Sequence, residues 1–180
     1  FEPAYAGLAA EFLYYPVSSN WAIGFEAASV LKRKYHGIKF TTKIRKFNGY
    51  EPEYVDFIGY QYLLDLYYDI KYLQLDFKVS LGKFLARDYG ARFELGRYFP
   101  SGFRFSVWYT MTSAYDVVNC SRYRDKGIAF AIPLDFFLKK SSRSYIPYAL
   151  SVWLRDTGAR AHTGKRLYQT LQAERETSPL

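Results

Sequence analysis

The chain has 180 residues, of which 21% are aromatic, and a net charge of +8. That length suffices for one domain with a core, and the charge attracts polyanions, but no groove-reading helix, RNP signature or zinc-ligand spacing accompanies it, which argues against nucleic acid. No apolar run approaches the roughly 18 residues of a spanning helix, so a helical membrane protein is excluded; a transmembrane barrel stays open, because strand alternation halves apparent hydropathy.

Nine strands are expected, at about 4–15, 20–35, 54–69, 71–86, 89–98, 102–114, 126–137, 145–152 and 161–170. The signal is a two-residue period, since successive strand side chains project to opposite faces. In the second strand Trp21, Ile23, Phe25 and Ala27 stand opposite Ala22, Gly24, Glu26 and Ala28. In the third, Tyr60, Tyr62, Leu64, Leu66 and Tyr68 face away from Gln61, Leu63, Asp65 and Tyr67. The strictest case is 72–82, where Leu73, Leu75, Phe77, Val79 and Leu81 alternate with Tyr72, Gln74, Asp76, Lys78, Ser80 and Gly82. Residues 90–96 set Gly90, Arg92, Glu94 and Gly96 against Ala91, Phe93 and Leu95. Two more apolar series follow, Phe103 to Met111 and Ile128 to Phe136, the latter interrupted by Pro133, which marks a bulge or a locally unpaired position.

Connection lengths carry a second signal. Short ones fall at Pro16–Ser19, around Asp69-Ile70 and at Pro100-Ser101, and long ones at 36–53 and 115–125; the tight join at 86–89 breaks the rhythm. Short turns on one rim and long loops on the other are the habit of outer-membrane barrels. With short turns in the periplasm, the first strand descends from the cell surface and the ninth ends in the periplasm. Such barrels begin and end in the periplasm, so an upstream strand is expected and the chain reads as a fragment. The start at Phe1, without a leader, points the same way. A soluble barrel or sandwich would turn the apolar face inward instead. Strand length and tyrosines near strand ends (Tyr14, Tyr15, Tyr67, Tyr68, Tyr72, Tyr98, Tyr115) favour the membrane.

Candidate chemistry is sparse. Cys120 is alone, and His36 and His162 lack metal-site spacing, so neither a metal nor another cofactor is expected. Asp65, Asp76 and Glu94 allow a carboxylate pair for glycoside cleavage, but cross-strand pairing with Lys78, Arg92 or Arg104 is the commoner use of such groups, and no enzyme is expected. The polar face, with Asp65, Tyr67, Asp76, Lys78, Arg92, Glu94, Arg104 and Trp108, is the candidate lumen wall. It offers hydrogen bonds and, with Tyr72, flat rings, both of which sugars use; equally, it serves only to fill and hydrate a closed barrel. Basic residues between Lys32 and Lys46 meet anionic lipopolysaccharide or are simply solvated. Arg155-Asp156-Thr157-Gly158 reads as a turn.

The blocks at 10–35 (AEFLYYPVSSNWAIGFEAASVLKRKY), 82–112 (GKFLARDYGARFELGRYFPSGFRFSVWYTMT), 126–136 (KGIAFAIPLDF) and 153–168 (WLRDTGARAHTGKRLY) resemble the C-terminal region of YjbH-type proteins. The resemblance implies an outer-membrane β-barrel, often a lipoprotein, tied to exopolysaccharide or capsule production in Gram-negative bacteria, in proteins several times longer than this chain. It brings no catalytic residues. The chain departs from the family pattern at Asn119–Arg124 and in lacking a terminal aromatic. The expected fold is all-β, an antiparallel up-and-down meander of about 8–9 long strands forming part of a transmembrane barrel, with 1–171 as barrel segment and 172–180 as polar tail. The expected function is non-enzymatic assistance of exopolysaccharide or capsule biosynthesis and secretion at the bacterial outer membrane. Expected partners are outer-membrane lipid, lipopolysaccharide, anionic exopolysaccharide and other secretion components. The alternatives are a general porin, an adhesin-like barrel, or a soluble sugar-binding β-protein.

Overall fold

A computed structural model describes residues 5–34, 39–48, 51–118, 121–134, 145–151, 157–161, 164 and 166–171. In chain order its strands are β1 (Tyr5–Tyr14), β2 (Trp21–Arg33), β3 (Phe40–Thr41), β4 (Lys43–Asn48), β5 (Glu51–Asp56), β6 (Gly59–Ile70), β7 (Leu75–Lys83), β8 (Tyr89–Tyr98), β9 (Arg104–Thr112), β10 (Asp116–Val118), β11 (Ser121–Tyr123), β12 (Lys126–Pro133) and β13 (Tyr145–Ser151). Eight of them form one antiparallel meander, β1-β2-β6-β7-β8-β9-β12-β13, which is not closed: β1 and β13 are its edges. The two long connections fold into hairpins of their own, β4–β5 and β10–β11. The β4–β5 register sets Lys43 opposite Asp56 and Lys46 opposite Glu53.

The two-residue period holds its phase from strand to strand. One row across the sheet reads Trp21, Tyr68, Phe77, Leu95, Val107, Ile128 and Leu150, each opposite the next. All seven are exposed. The adjacent row on the other face reads Ala22, Tyr67, Lys78, Glu94, Trp108, Gly127 and Ser151. In β6 the contrast is sharpest: Gln61 and Leu63 are 0% exposed, while Tyr62 and Leu64 are 48% and 41% exposed. The apolar face is therefore outside and the polar face inside, the reverse of a sheet that builds a water-soluble core. Among the described residues the buried hydrophobic clusters are small, Ala22 with Tyr67 and Tyr168, and Ala28 and Val30 with Ala161.

Three expectations are corrected. Among the described residues of 161–170 no ninth strand forms. Its described residues follow an irregular path and then make a helical turn at 167–171, with Gly158 and Gly164 at φ 68° and 92°, which an extended strand cannot accommodate. Backbone N–H groups here bond to side chains, Ala161 to Gln61 and Leu167 to Glu11, rather than to a ladder. The 72–82 alternation begins only at Leu75, because Lys71–Leu73 form a 3-10 turn closed by Gln74 at φ 54°; Leu73 therefore belongs to the turn. The last apolar series stops at Pro133, which is neither bulged nor unpaired but stands opposite Tyr145 of β13; it lies beyond the last β9 pair at Ala131, so the missing N–H breaks no β9–β12 bond. Phe136 lies outside the described residues.

Gly90 marks a close approach of β8 to β9: a Cβ there would collide with the backbone carbonyl of Met111 and with the Thr112 Cα. Gly90→Ala is expected to cost about 1–3 kcal/mol, as other insertions into a packed contact do, read as a lowered urea midpoint with unchanged m-value.

Candidate functional site

The inner face is built from charged side chains that satisfy one another. In the middle of the sheet, cross-strand register puts Asp65 opposite Ser80 and Tyr67 opposite Lys78. The Lys78 ammonium lies 3.0 Å from Asp65 Oδ2 and donates to the Tyr67 hydroxyl at 3.2 Å. That hydroxyl in turn donates to Asp65 Oδ2 at 3.1 Å. Arg160, from the segment that follows β13, reaches across three strands. Its Nη2 is 3.0 Å from Glu26 Oε2 and 3.5 Å from Asp65 Oδ2, and its Nη1 donates to Ser80 Oγ at 3.1 Å. Gln61 closes the cluster, donating to Glu26 at 2.7 Å and accepting the Ala161 N–H at 2.8 Å.

Two further clusters continue along the sheet. Arg104 Nη2 bridges Asp76 at 2.6 Å and Glu94 at 3.3 Å. It passes over Gly96, which faces Asp76 in β7; a Cβ at Gly96 would occupy the space that the Asp76 carboxylate and the Arg104 guanidinium share. Asp125 Oδ2 accepts three donors, Arg92 Nη1 at 3.2 Å, Trp108 Nε1 at 3.1 Å and Thr110 Oγ1 at 2.9 Å. Burying one charge alone costs several kcal/mol, and pairing offsets much of that.

The C-terminal segment is held at both ends. The tight turn between β7 and β8 grips it: the Gly158 N–H donates to Asp88 Oδ2 at 2.9 Å and the Leu85 N–H to the Ala159 carbonyl at 3.0 Å. Phe84, fully buried, anchors that turn. At the other end Tyr168 stacks on Tyr67 with centroids 3.9 Å apart and touches Tyr15. Burial pushes the Tyr168 phenol up, so the ring stays neutral across the physiological range. Between segment and sheet lies a cavity of about 730 Å³. It exists because one inner row carries small residues, Gly96, Ser106, Ala129 and Ala149, after Asp76.

All eight candidate lumen residues, Asp65, Tyr67, Asp76, Lys78, Arg92, Glu94, Arg104 and Trp108, lie on this face. Their rings are less available than expected. Tyr67 is covered by Tyr168 and by Lys78, whose ammonium is 4.8 Å from its centroid. Trp108 lies under the Arg92 guanidinium at 4.9 Å and against Gly127. Tyr72 does not reach the inner face; it sits on the 71–73 turn, 85% exposed. Of the motif Arg155, Asp156 and Gly158, the first two lie outside the described residues, and Gly158 sits at φ 68° against Thr110. Sequence spacing missed Asp88, Asp125, Arg160, Arg166 and Tyr168. The available signal was that Asp88 and Arg160 fall in two of the four blocks of resemblance, which meet here in space. Among the described residues no group of three or more His, Cys, Asp or Glu is placed to hold a metal.

Asp65→Ala is expected to remove the one carboxylate in direct contact with Lys78 among the described residues and to cost about 3–5 kcal/mol. Adding Lys78→Met in that background is expected to recover a good part of it. A double-mutant cycle of urea midpoints checks both.

Comparison with known proteins gives this architecture a family. The YjbH family model, described as "Exopolysaccharide biosynthesis protein YbjH", matches residues 1–173. A protein of Escherichia coli (strain K12) named "Uncharacterized lipoprotein YjbH" is 30% identical over 172 residues, covering 93% of this chain. The chain spans 23% of that relative's length. No solved structure matches. With the family model spanning almost its whole length, the chain belongs to the YjbH exopolysaccharide biosynthesis family.

Proposed function

We propose that this chain is part of an outer-membrane β-barrel that assists exopolysaccharide or capsule biosynthesis and secretion without catalysing a reaction. The observation that carries the proposal is the inverted sheet: an unbroken apolar row across seven strands on the exposed face, ion-paired polar groups on the covered one. In water such an outer face would be a liability of aggregation; against lipid it is the favourable solution. Strands of 9 to 13 residues in β2, β6, β7, β8 and β9 meet the about 9–11 that a tilted crossing needs. Aromatics gather at the short-turn end, where Tyr14 packs on Trp21 at 6.0 Å and Trp21 faces Tyr68. This supports an interfacial girdle.

The edges β1 and β13 run antiparallel, and the proposed barrel closes through them. Membrane association agrees with the name of the E. coli relative, a lipoprotein. Exopolysaccharide as the cargo or partner follows from the family description. A non-enzymatic role is supported by the ion pairing of two of the candidate carboxylates: Asp76 and Glu94 share the Arg104 guanidinium. A glycosidase acid must instead hold a proton.

The full-length protein is expected in the outer-membrane fraction, released only by detergent. Leu64→Arg, at the centre of β6, is expected to cost about 2–4 kcal/mol of barrel stability and to lower the amount assembled, measured as the heat-modifiable band on gels. Recovery in the soluble fraction without detergent would exclude a barrel. Deletion of the gene is expected to reduce extracellular polysaccharide; unchanged polysaccharide with altered small-solute uptake would point to a general porin.

A further inference from the structure

One guanidinium lining the cavity between the sheet and the C-terminal segment makes no direct ion pair among the described residues. Asp65 is taken by Lys78 and Arg160, and Glu26 by Arg160. Asp76 and Glu94 are both taken by Arg104, and Asp125 by Arg92. Arg166 lines the same cavity, half-buried, and has no carboxylate partner among the described residues. Lys78 and Arg92, both already ion-paired, line the same cavity. A partly desolvated guanidinium crowded by like charge is stabilised by an anion, and its planar fork fits a carboxylate or phosphate in bidentate fashion.

The remaining lining describes the rest of the ligand. Ser106, Ser151 and Gln169 add uncharged hydrogen-bonding groups, and the floor is made of small residues rather than large apolar ones. Such walls suit a hydroxyl-rich molecule and disfavour a lipid tail. A volume of about 730 Å³ lies in the range of small-ligand sites, about 300–1,000 Å³. We infer that this cavity binds a sugar bearing a carboxylate or a phosphate, with Arg166 selecting the negative charge. The inference rests on the proposed exopolysaccharide role for the source of that sugar and deepens it by naming the ligand's chemistry.

The test titrates full-length protein in detergent, by calorimetry, with trigalacturonate, with a phosphorylated glucosamine disaccharide and with neutral maltotriose. At least one acidic sugar is expected to bind tenfold or more tightly than maltotriose. Preference for the uronate identifies the carboxylate of a polysaccharide as the source; preference for the phosphosugar identifies a lipid headgroup. Arg166→Gln is expected to abolish the preference and Arg166→Lys to retain part of it. Lys71→Gln, an exposed cation on the 71–73 turn, is expected to leave it intact. Equal binding of acidic and neutral sugars, no binding of any, or a preference surviving in Arg166→Gln would overturn the inference. If Arg166→Gln loses the folded form, the acidic-to-neutral ratio of the unmodified protein still decides. Fractionation tests the barrel separately: a membrane-embedded protein without acid preference defeats this inference alone.

Discussion

The Arg160 guanidinium is the contact on which the inner face depends. It joins Glu26 in β2, Asp65 in β6 and Ser80 in β7, and it brings the C-terminal segment with it. Without it the centre of the sheet would hold two carboxylates against Lys78 alone. Buried pairs as a whole gain little over their desolvation cost, but loss of one partner costs about 3–5 kcal/mol. The network is therefore less a source of stability than a condition that every inner residue must meet. Once Arg160 is in place, Gln61 can bond Glu26 and the Ala161 backbone together, and Tyr168 falls onto Tyr67.

Inversion of the sheet follows from the same economy. A polar inner face needs room for long side chains to cross between strands, and glycines provide it where the crossings occur. Gly96 lets Arg104 reach Asp76, and Gly127 gives the Trp108 ring a flat bed so that its N–H can meet Asp125. The outer face has no such demand and is filled with large side chains in cross-strand contact, such as Phe130 on Tyr148 at 5.1 Å.

Period-two alternation made β2, β6, β8 and β9 legible, because each has one face covered and a slip of one residue would invert it. It also misled at the ends. Lys71-Tyr72-Leu73 continues the alternation of β7 by composition, yet the chain turns there, and only the left-handed backbone at Gln74 reveals it. Residues 161–170 were readable as a strand only by length and position, since Gly164 and the basic residues around it give no apolar face. All eight lumen candidates sit on the inner face because strand phase alone decides that. Their partners were not legible: Asp88 meets Gly158, and Glu26 meets Arg160, across 70 and 134 residues of chain. No local pattern encodes a contact of that span.

Those spans set the order in which the molecule can be assembled. Every main-sheet ladder joins strands that follow one another in the meander, whereas Arg160 has nowhere to bind until β2, β6 and β7 already stand side by side. Contacts of long sequence separation are reached late, after the nearer ones have repaid their loop entropy. The C-terminal segment is thus the last piece to settle, entering a sheet whose strands are already paired.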